Sequence, residues 1–335
     1  MRFVIATGLY PPDVGGPALY AEGVKKALDA SGHETRLVLF GSLRKYPSGI
    51  RHALYAARLF FAARGADAIF AFDTYSAGVP AAFVGALRHI PVVLRVGGDF
   101  VWESYVERTK NLVPLPDFYQ KSRDLSLKEK LAKQMVRWML HHTIPAFNSP
   151  WLLSIWKEPY SLERVPSAVV ENVIGERLSS LAKEPKLLFY GRNLALKNAA
   201  AFKNTLEQAR QDGVQLSLEE GMVPHTELLE RIRRAYAVAL PSISDVAPNV
   251  ILDAIRCGKP FLLTKHSGYA VRFKDLGVIV DPLSAEDMAR GIRELADTGR
   301  YANLVERIGA YKEVRTYDDV ARELLALATR GLPSR

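Results

Sequence analysis

The chain has 335 residues, too many for one typical core and about right for two domains of roughly 150 residues each. Apolar residues make up 48% and charged residues 24%, which excludes large-scale disorder, and the lone cysteine, Cys257, excludes an internal disulfide framework or a cysteine metal cluster and fits a reducing compartment. The net charge of +9, about two thirds of it before Asn172, favours polyanionic partners such as phosphorylated substrates, with a plain solvated basic surface as the alternative.

In chain order, Arg2 to Thr7 reads as a buried strand, reached from Met1 without the apolar core or cleavage site of a signal peptide. Ala18 to Ala30 shows apolar residues at helical spacing and stops at Ser31-Gly32. Thr35–Phe40, Ala68–Phe72 and Pro91–Val96 read as strands, and Arg51–Ala63 and Ala77–Leu87 as the helices between them. Leu125 to His142 is a long basic helix. The rhythm then restarts. Lys186–Tyr190, Val214–Leu218, Ala237–Leu240 and Pro260–Thr264 are strands, and Ala199–Gln211, Glu227–Tyr236 and Asn249–Arg256 are helices. Strand–helix repeats of this kind build parallel sheets covered on both faces. The reading is therefore α/β with a first domain over 1–172, a second over 173–315 behind the linker-like stretch Gly175–Pro185, and a C-terminal segment, 316–335, whose helix (Tyr317–Thr329) packs back on the first domain. No run of about 18 to 20 apolar residues exists to span a bilayer.

Three segments carry chemistry. Tyr10-Pro11-Pro12-Asp13-Val14-Gly15-Gly16-Pro17 lies between the first strand and first helix, where doubly wound folds bind ligands. Gly15 and Gly16 let backbone approach an anion at a helix start, although such a turn is also ordinary structural punctuation. Leu188 to Asn198 opens the second domain in the same position. Its Arg192 and Lys197 suit a diphosphate, the guanidinium gripping oxygens in pairs and the lysine adding a mobile charge; a solvated basic loop is the alternative. In Pro241 to Ala254, a strand ends at Pro241 and Pro248 fits the first position of the next helix. The amides of Asn249 and Val250 at that helix start form an anion site. Asp245 then projects from the loop, and Asp253 offers a carboxylate to paired hydroxyls such as a ribose; alternatively Asp245 caps the helix and Asp253 faces solvent.

Together these segments resemble the retaining glycosyltransferases of family 4, glycosyl transferases group 1. Gly15-Gly16 and Gly32-His33, Gly191-Arg192 with Lys197, Pro241-Ser242 with Asp245, Asp253 and Ala254, the exit Cys257-Gly258-Lys259-Pro260 and the entry Val170-Glu171-Asn172-Val173-Ile174 match that family's pattern in order, over most of residues 1 to 310. The resemblance implies the GT-B fold, two Rossmann-like domains facing each other across a cleft. It implies that Arg192 and Lys197 hold the donor diphosphate and stabilise the leaving nucleotide, Asp253 binds ribose, Asp245 contacts the sugar and Gly16 approaches the phosphates. It further implies a hexosyl transfer that retains anomeric configuration, with no metal and no cofactor beyond the nucleotide-sugar co-substrate.

The chain departs from the pattern in three places. Both acidic positions, usually glutamates, are aspartates. Gly97 stands where a histidine is usual, and Asp99, in Gly97-Gly98-Asp99-Phe100-Val101-Trp102-Glu103, is assigned to the sugar or the acceptor instead, with capping of the next helix as the alternative. The Arg192–Pro241 interval is short by one strand–helix unit, so the second domain is abbreviated. These departures motivate an alternative: a catalytically degenerate protein of the same fold, binding nucleotide or glycan as a partner subunit. The leading expectation is transfer to a saccharide or lipid-linked acceptor in cell-envelope polysaccharide or glycolipid synthesis. The leucines, Met135, Trp138 and Met139 of Leu125–His142 alternate with lysines, as in a helix lying on an anionic membrane surface, or equally one packing on the core. A cytoplasmic enzyme, peripheral on the inner membrane face, is expected. His141, His142 and His225 read as ordinary residues rather than ligands, and Cys257 as a small buried apolar group. An NAD-dependent enzyme would need a Gly-x-Gly-x-x-Gly turn, which is absent, and no helix concentrates enough basic residues with aromatics to argue for nucleic-acid binding.

Overall fold

The computed structural model describes residues 1–47, 49–120, 124–181 and 183–330, so the end of the expected C-terminal segment, 331–335, lies outside the described residues. Along the chain run β1 (Arg2–Thr7), α1 (Gly16–Ala30), β2 (Glu34–Leu39), α2 (Ile50–Ala62), β3 (Ala68–Ala71), α3 (Gly78–Arg88), β4 (Val92–Val96), α4 (Phe100–Thr109), α5 (Leu115–Gln120), α6 (Leu127–His141), β5 (Ile144–Phe147), α7 (Pro150–Trp156) and β6 (Ala168–Val169). They are followed by β7 (Lys186–Phe189), α8 (Ala199–Gln211), β8 (Ser217–Glu220), α9 (His225–Arg234), β9 (Ala237–Leu240), α10 (Asn249–Arg256), β10 (Phe261–Thr264), β11 (Val278–Val280), α11 (Ala285–Ala296), α12 (Thr298–Ala310) and α13 (Tyr317–Arg330). Internal contacts group the described residues into two units, one of 1–101, 124–172 and 316–330, the other of 102–120 and 173–315.

The first unit is built on a six-stranded parallel sheet in the order β2-β1-β3-β4-β5-β6. β3 and β4 are buried along their whole length and β1 beyond Arg2, which is why they read as mainly apolar runs, broken only by the buried Arg95 of β4 and closed by Thr7 of β1, rather than alternating ones. Right-handed crossovers send α2, α3 and α6 to one face, where they pack side by side, while α1 and α13 pair on the other. The α1–α13 contact is close because Gly23 has no side chain: a Cβ there would meet the Tyr317 ring at 2.3 Å. α6 starts at a capping box in which Ser126 Oγ accepts from the Glu129 amide (3.3 Å) and Glu129 Oε2 accepts from the Ser126 amide (2.7 Å).

The second unit holds a five-stranded parallel sheet, β11-β10-β9-β7-β8, one strand fewer than the first. The short interval after Arg192 leaves room for only β8 between β7 and β9 in sequence. β8 pairs with β7 from Ser217 to Glu220, so the strand sits about three residues later than the Val214–Leu218 pattern suggests. The reason is local: Val214 still donates to the Ala209 carbonyl of α8, and Gly213 at φ 101° makes the turn out of the helix. The core of this unit gathers Leu187 and Phe189 of β7, Phe202 and Leu206 of α8, and Ile292 and Leu295 of α11. The segment 102–120 belongs here too, although the sequence reads as one unbroken domain to residue 172. α5 is anchored by a bond from the Leu115 amide to Ser244 Oγ (2.9 Å) and by the buried Leu115 and Phe118.

Candidate functional site

In the second unit the loop after β7 and the loop after β9 lie together. The Ile243 amide donates to the Leu196 carbonyl (2.8 Å), and the two loops bring Lys197 Nζ within 2.6 Å of Asp245 Oδ2. Each of these side chains is only 16% exposed. The Lys197 stem runs over Gly191, at van der Waals distance (3.4–3.6 Å) from where a Cβ would stand. Ser242 Oγ adds a long bond to the same Asp245 oxygen (3.5 Å). Asn198 closes the turn in the left-handed region (φ 60°), a conformation asparagine tolerates, and ties it to the Pro282 carbonyl through Nδ2 (2.7 Å). The Asp245 backbone is held by the His266 carbonyl (3.1 Å), whose own imidazole burial pushes below its usual pKa.

Arg192 sits on the same loop with 63% of its side chain exposed, its guanidinium 3.9 Å from the Glu103 carboxylate. Glu103 and Glu107 lie on α4, in the part of that helix that packs with the second unit. Glu107 Oε1 accepts from the Leu196 amide (3.3 Å). Burial alone would raise the Glu107 carboxyl, yet Lys110 and the Leu196 and Ala195 amides hold it below its usual range. A carboxylate of α4 thus already sits on the amides that begin the turn carrying Lys197. The sequence did not single out Glu103 or Glu107; their four-residue spacing on a helix was the available signal.

α10 begins where expected, but Pro248 (φ −71°, ψ 114°) is its N-cap rather than its first helical residue, because its backbone is extended and helical angles start at Asn249. No side chain caps this end among the described residues, and Val250 lies in its first turn behind Asn249. Asp253, one turn on, is 6% exposed and so does not face solvent. Its Oδ2 lies 2.9 Å from His225 Nε2 and its Oδ1 accepts from Arg256 Nη1 (3.2 Å). His225 is therefore more than an ordinary surface residue: it opens α9 and orients this carboxylate, a contact no sequence spacing announces. Tyr190 lies nearby, its hydroxyl donating to the Val223 carbonyl (3.1 Å), and burial with the charge of Asp253 pushes its phenol up. Two lone pairs on each carboxylate oxygen leave Asp253 capacity for further donors.

In the first unit, Gly15 holds φ 140°, a region closed to most side chains, and Gly16 begins α1, whose start has no side-chain cap among the described residues. Asp99 is 1% exposed, and Trp156 Nε1 donates to its Oδ2 at 2.8 Å, a bond that ties α7 to the loop after β4.

The family model of glycosyl transferases group 1 matches residues 180–315. No curated protein sequence matches the chain. The fold is similar to sucrose-phosphate synthase from Thermosynechococcus elongatus (TM-score 0.64, 16% identity, 98% of each chain covered). It is similar also to Anabaena HepE in complex with UDP (TM-score 0.67, 14% identity, covering 98% of this chain and 100% of that one). A third similar structure is the catalytic domain of starch synthase IV from Arabidopsis thaliana bound to ADP and acarbose (TM-score 0.65, 12% identity, covering 98% and 99%). At these identities the likeness establishes the fold, two parallel-sheet Rossmann-like domains of the GT-B kind. Residues 180–315, with the Arg192 loop and the Asp245–Asp253 segment inside them, are thus similar to the glycosyl transferases group 1 model, in a chain of GT-B fold.

Proposed function

We propose that this protein transfers a sugar from a nucleoside-diphosphate sugar to a saccharide or lipid-linked acceptor, with the second unit holding the donor. The observation that carries the reading is the junction of the two loops: Lys197 against Asp245 at 2.6 Å, with an exposed Arg192 on the same loop and the start of α10 beside Asp245 in the chain. As the glycosidic bond to the diphosphate lengthens, charge accumulates on the leaving phosphate. Arg192, Lys197 and the positive end of α10 at Asn249 and Val250 are the groups that stabilise it. The two cations do the work a divalent ion does in other diphosphate sites, so the reaction is proposed to run without a metal. Asp253, fixed by His225 and Arg256, accepts from the ribose hydroxyls. Asp245 exchanges part of its bond with Lys197 for a hydroxyl of the donor sugar. The acceptor hydroxyl attacks the anomeric carbon from the face the nucleotide leaves, so configuration is retained, and the departing phosphate oxygen takes its proton.

Calorimetry with UDP, GDP and ADP tests this. One diphosphate binds the full chain, EDTA leaves binding unchanged, and Arg192→Ala weakens it at least about tenfold, as loss of a charge-assisted contact predicts. A folded sample that binds none of the three, and turns over none of their hexose conjugates, refutes the donor site and favours a degenerate partner subunit.

A further inference from the structure

Helices α2, α3 and α6 form one face of the first unit, and that face is unusual in what it leaves uncovered. Ile50 and Phe61 on α2, Phe83 and Leu87 on α3, and Leu127 and Leu131 on α6 are each more than half exposed. On every helix the pair recurs at helical spacing, so each contributes an outward apolar stripe beside the one it packs on the sheet. Trp138 continues the α6 stripe, more than a third exposed, with its ring stacked on His142 at 4.4 Å. Because α3 packs against both α2 and α6, the three stripes are neighbours rather than scattered side chains. Soluble surfaces seldom leave apolar patches of this extent unpartnered.

The charges on the same face are one-sided. Residues 41–66 and 77–91, which include α2 and α3, contain no Asp or Glu. The one carboxylate of α6 is Glu129, which is 1% exposed and spent on the helix cap. Against it stand Lys128, Lys130, Lys133 and Arg137 on α6, Arg51 and Arg58 on α2, and Arg88, whose guanidinium lies 3.7 Å from the centre of the Phe60 ring. Apolar stripes flanked by long cationic side chains suit a bilayer surface, where the aromatic and leucine side chains enter the headgroup boundary and the lysines and arginines meet lipid phosphates. A second copy of the chain fits less well, since a two-fold contact would set this cationic face against itself.

We infer that the α2–α3–α6 face docks on an anionic lipid surface, using Phe61, Phe83, Leu87, Leu131 and Trp138 as inserted side chains and the surrounding lysines and arginines for charge. This goes beyond the donor chemistry and does not depend on it.

Co-sedimentation of the full chain with phosphatidylglycerol–phosphatidylcholine vesicles is the test, with pure phosphatidylcholine vesicles alongside. Binding is expected to the mixed vesicles, to fall as salt screens the charges, and to weaken at least about tenfold in Phe83→Ser/Leu87→Ser and in Leu131→Ser/Trp138→Ser. Phe83 and Leu87 are more than half exposed, so Phe83→Ser/Leu87→Ser keeps the parent's unfolding temperature; that temperature is measured for both variants, and the binding of the Trp138 variant is compared below its own transition. Absence of binding to the mixed vesicles, or equal binding by both variants, overturns the inference. So does light scattering that shows a dimer dissolved by the same substitutions, which would assign the face to a second copy.

Discussion

Lys197→Met separates the structural from the chemical role of the central ion pair. It leaves the Asp245 carboxylate, 16% exposed, with Ser242 Oγ at 3.5 Å as the remaining bond to that oxygen. Removing one partner of a fully buried pair costs about 3–5 kcal/mol, and the residual exposure lets water offset part of this, so about 2 kcal/mol is expected. For a unit of this size that lowers the unfolding temperature by roughly 4–8 °C. Lys197→Met/Asp245→Asn removes both charges at similar volume and should recover to within about 1 kcal/mol of the parent. Nucleotide then reports on chemistry. At a hundredfold excess over Kd the parent gains about 2.7 kcal/mol from its preferred diphosphate, and both variants should lose most of that gain. Differential scanning fluorimetry with and without nucleotide reads both quantities. A double variant that recovers stability and keeps the full nucleotide shift would show that the pair is only structural and refute the assignment of Lys197 to the diphosphate.

Glu107→Ala removes the carboxylate from the Leu196 amide and should raise the donor KM several-fold, about 1 kcal/mol for a lost cap, with kcat little changed; an unchanged KM would show that the Lys197 loop holds itself. Burial, with the charge of Asp253, pushes the Cys257 thiol up to about 12, so the folded protein should resist thiol reagents at pH 8 and react only on unfolding. The same shift makes stability pH-dependent. The neutral thiol favours the fold below pH 9, its ordinary value, and this contribution disappears as pH rises toward 12, a decline that Cys257→Ala should flatten in alkaline melts. Gly23→Ala drives a Cβ into the Tyr317 ring, and the overpacking of about 1–3 kcal/mol outweighs the roughly 1 kcal/mol gain in helix propensity; limited proteolysis should then release α13 first.

Local pattern made much of this molecule legible before any coordinates. The buried strands β1, β3 and β4 stand out because Phe3 to Ala6, Ala68 to Ala71 and Val92 to Leu94 are apolar without interruption, and α10 matches its expected span of Asn249 to Arg256. Lys197 and Asp245 each follow a strand of one parallel sheet, and crossover topology brings such loops together at its carboxyl end, but their direct contact is visible only in the folded chain. The contacts that escaped prediction are those made by single side chains over long separations. His225 reaches Asp253 from the start of a different helix, and Trp156 captures Asp99 across 57 residues, turning a motif-like carboxylate into a core group. Segment 102–120 escaped for a related reason. Its docking rests on Leu115, Phe118, Glu107 and one bond to Ser244, and an apolar residue in a short helix carries no mark of which sheet it will be buried against. Secondary structure is encoded within each window of sequence, whereas the choice of burial partner is encoded in the shape of a surface built some 130 residues later, and only the folded chain brings the two together.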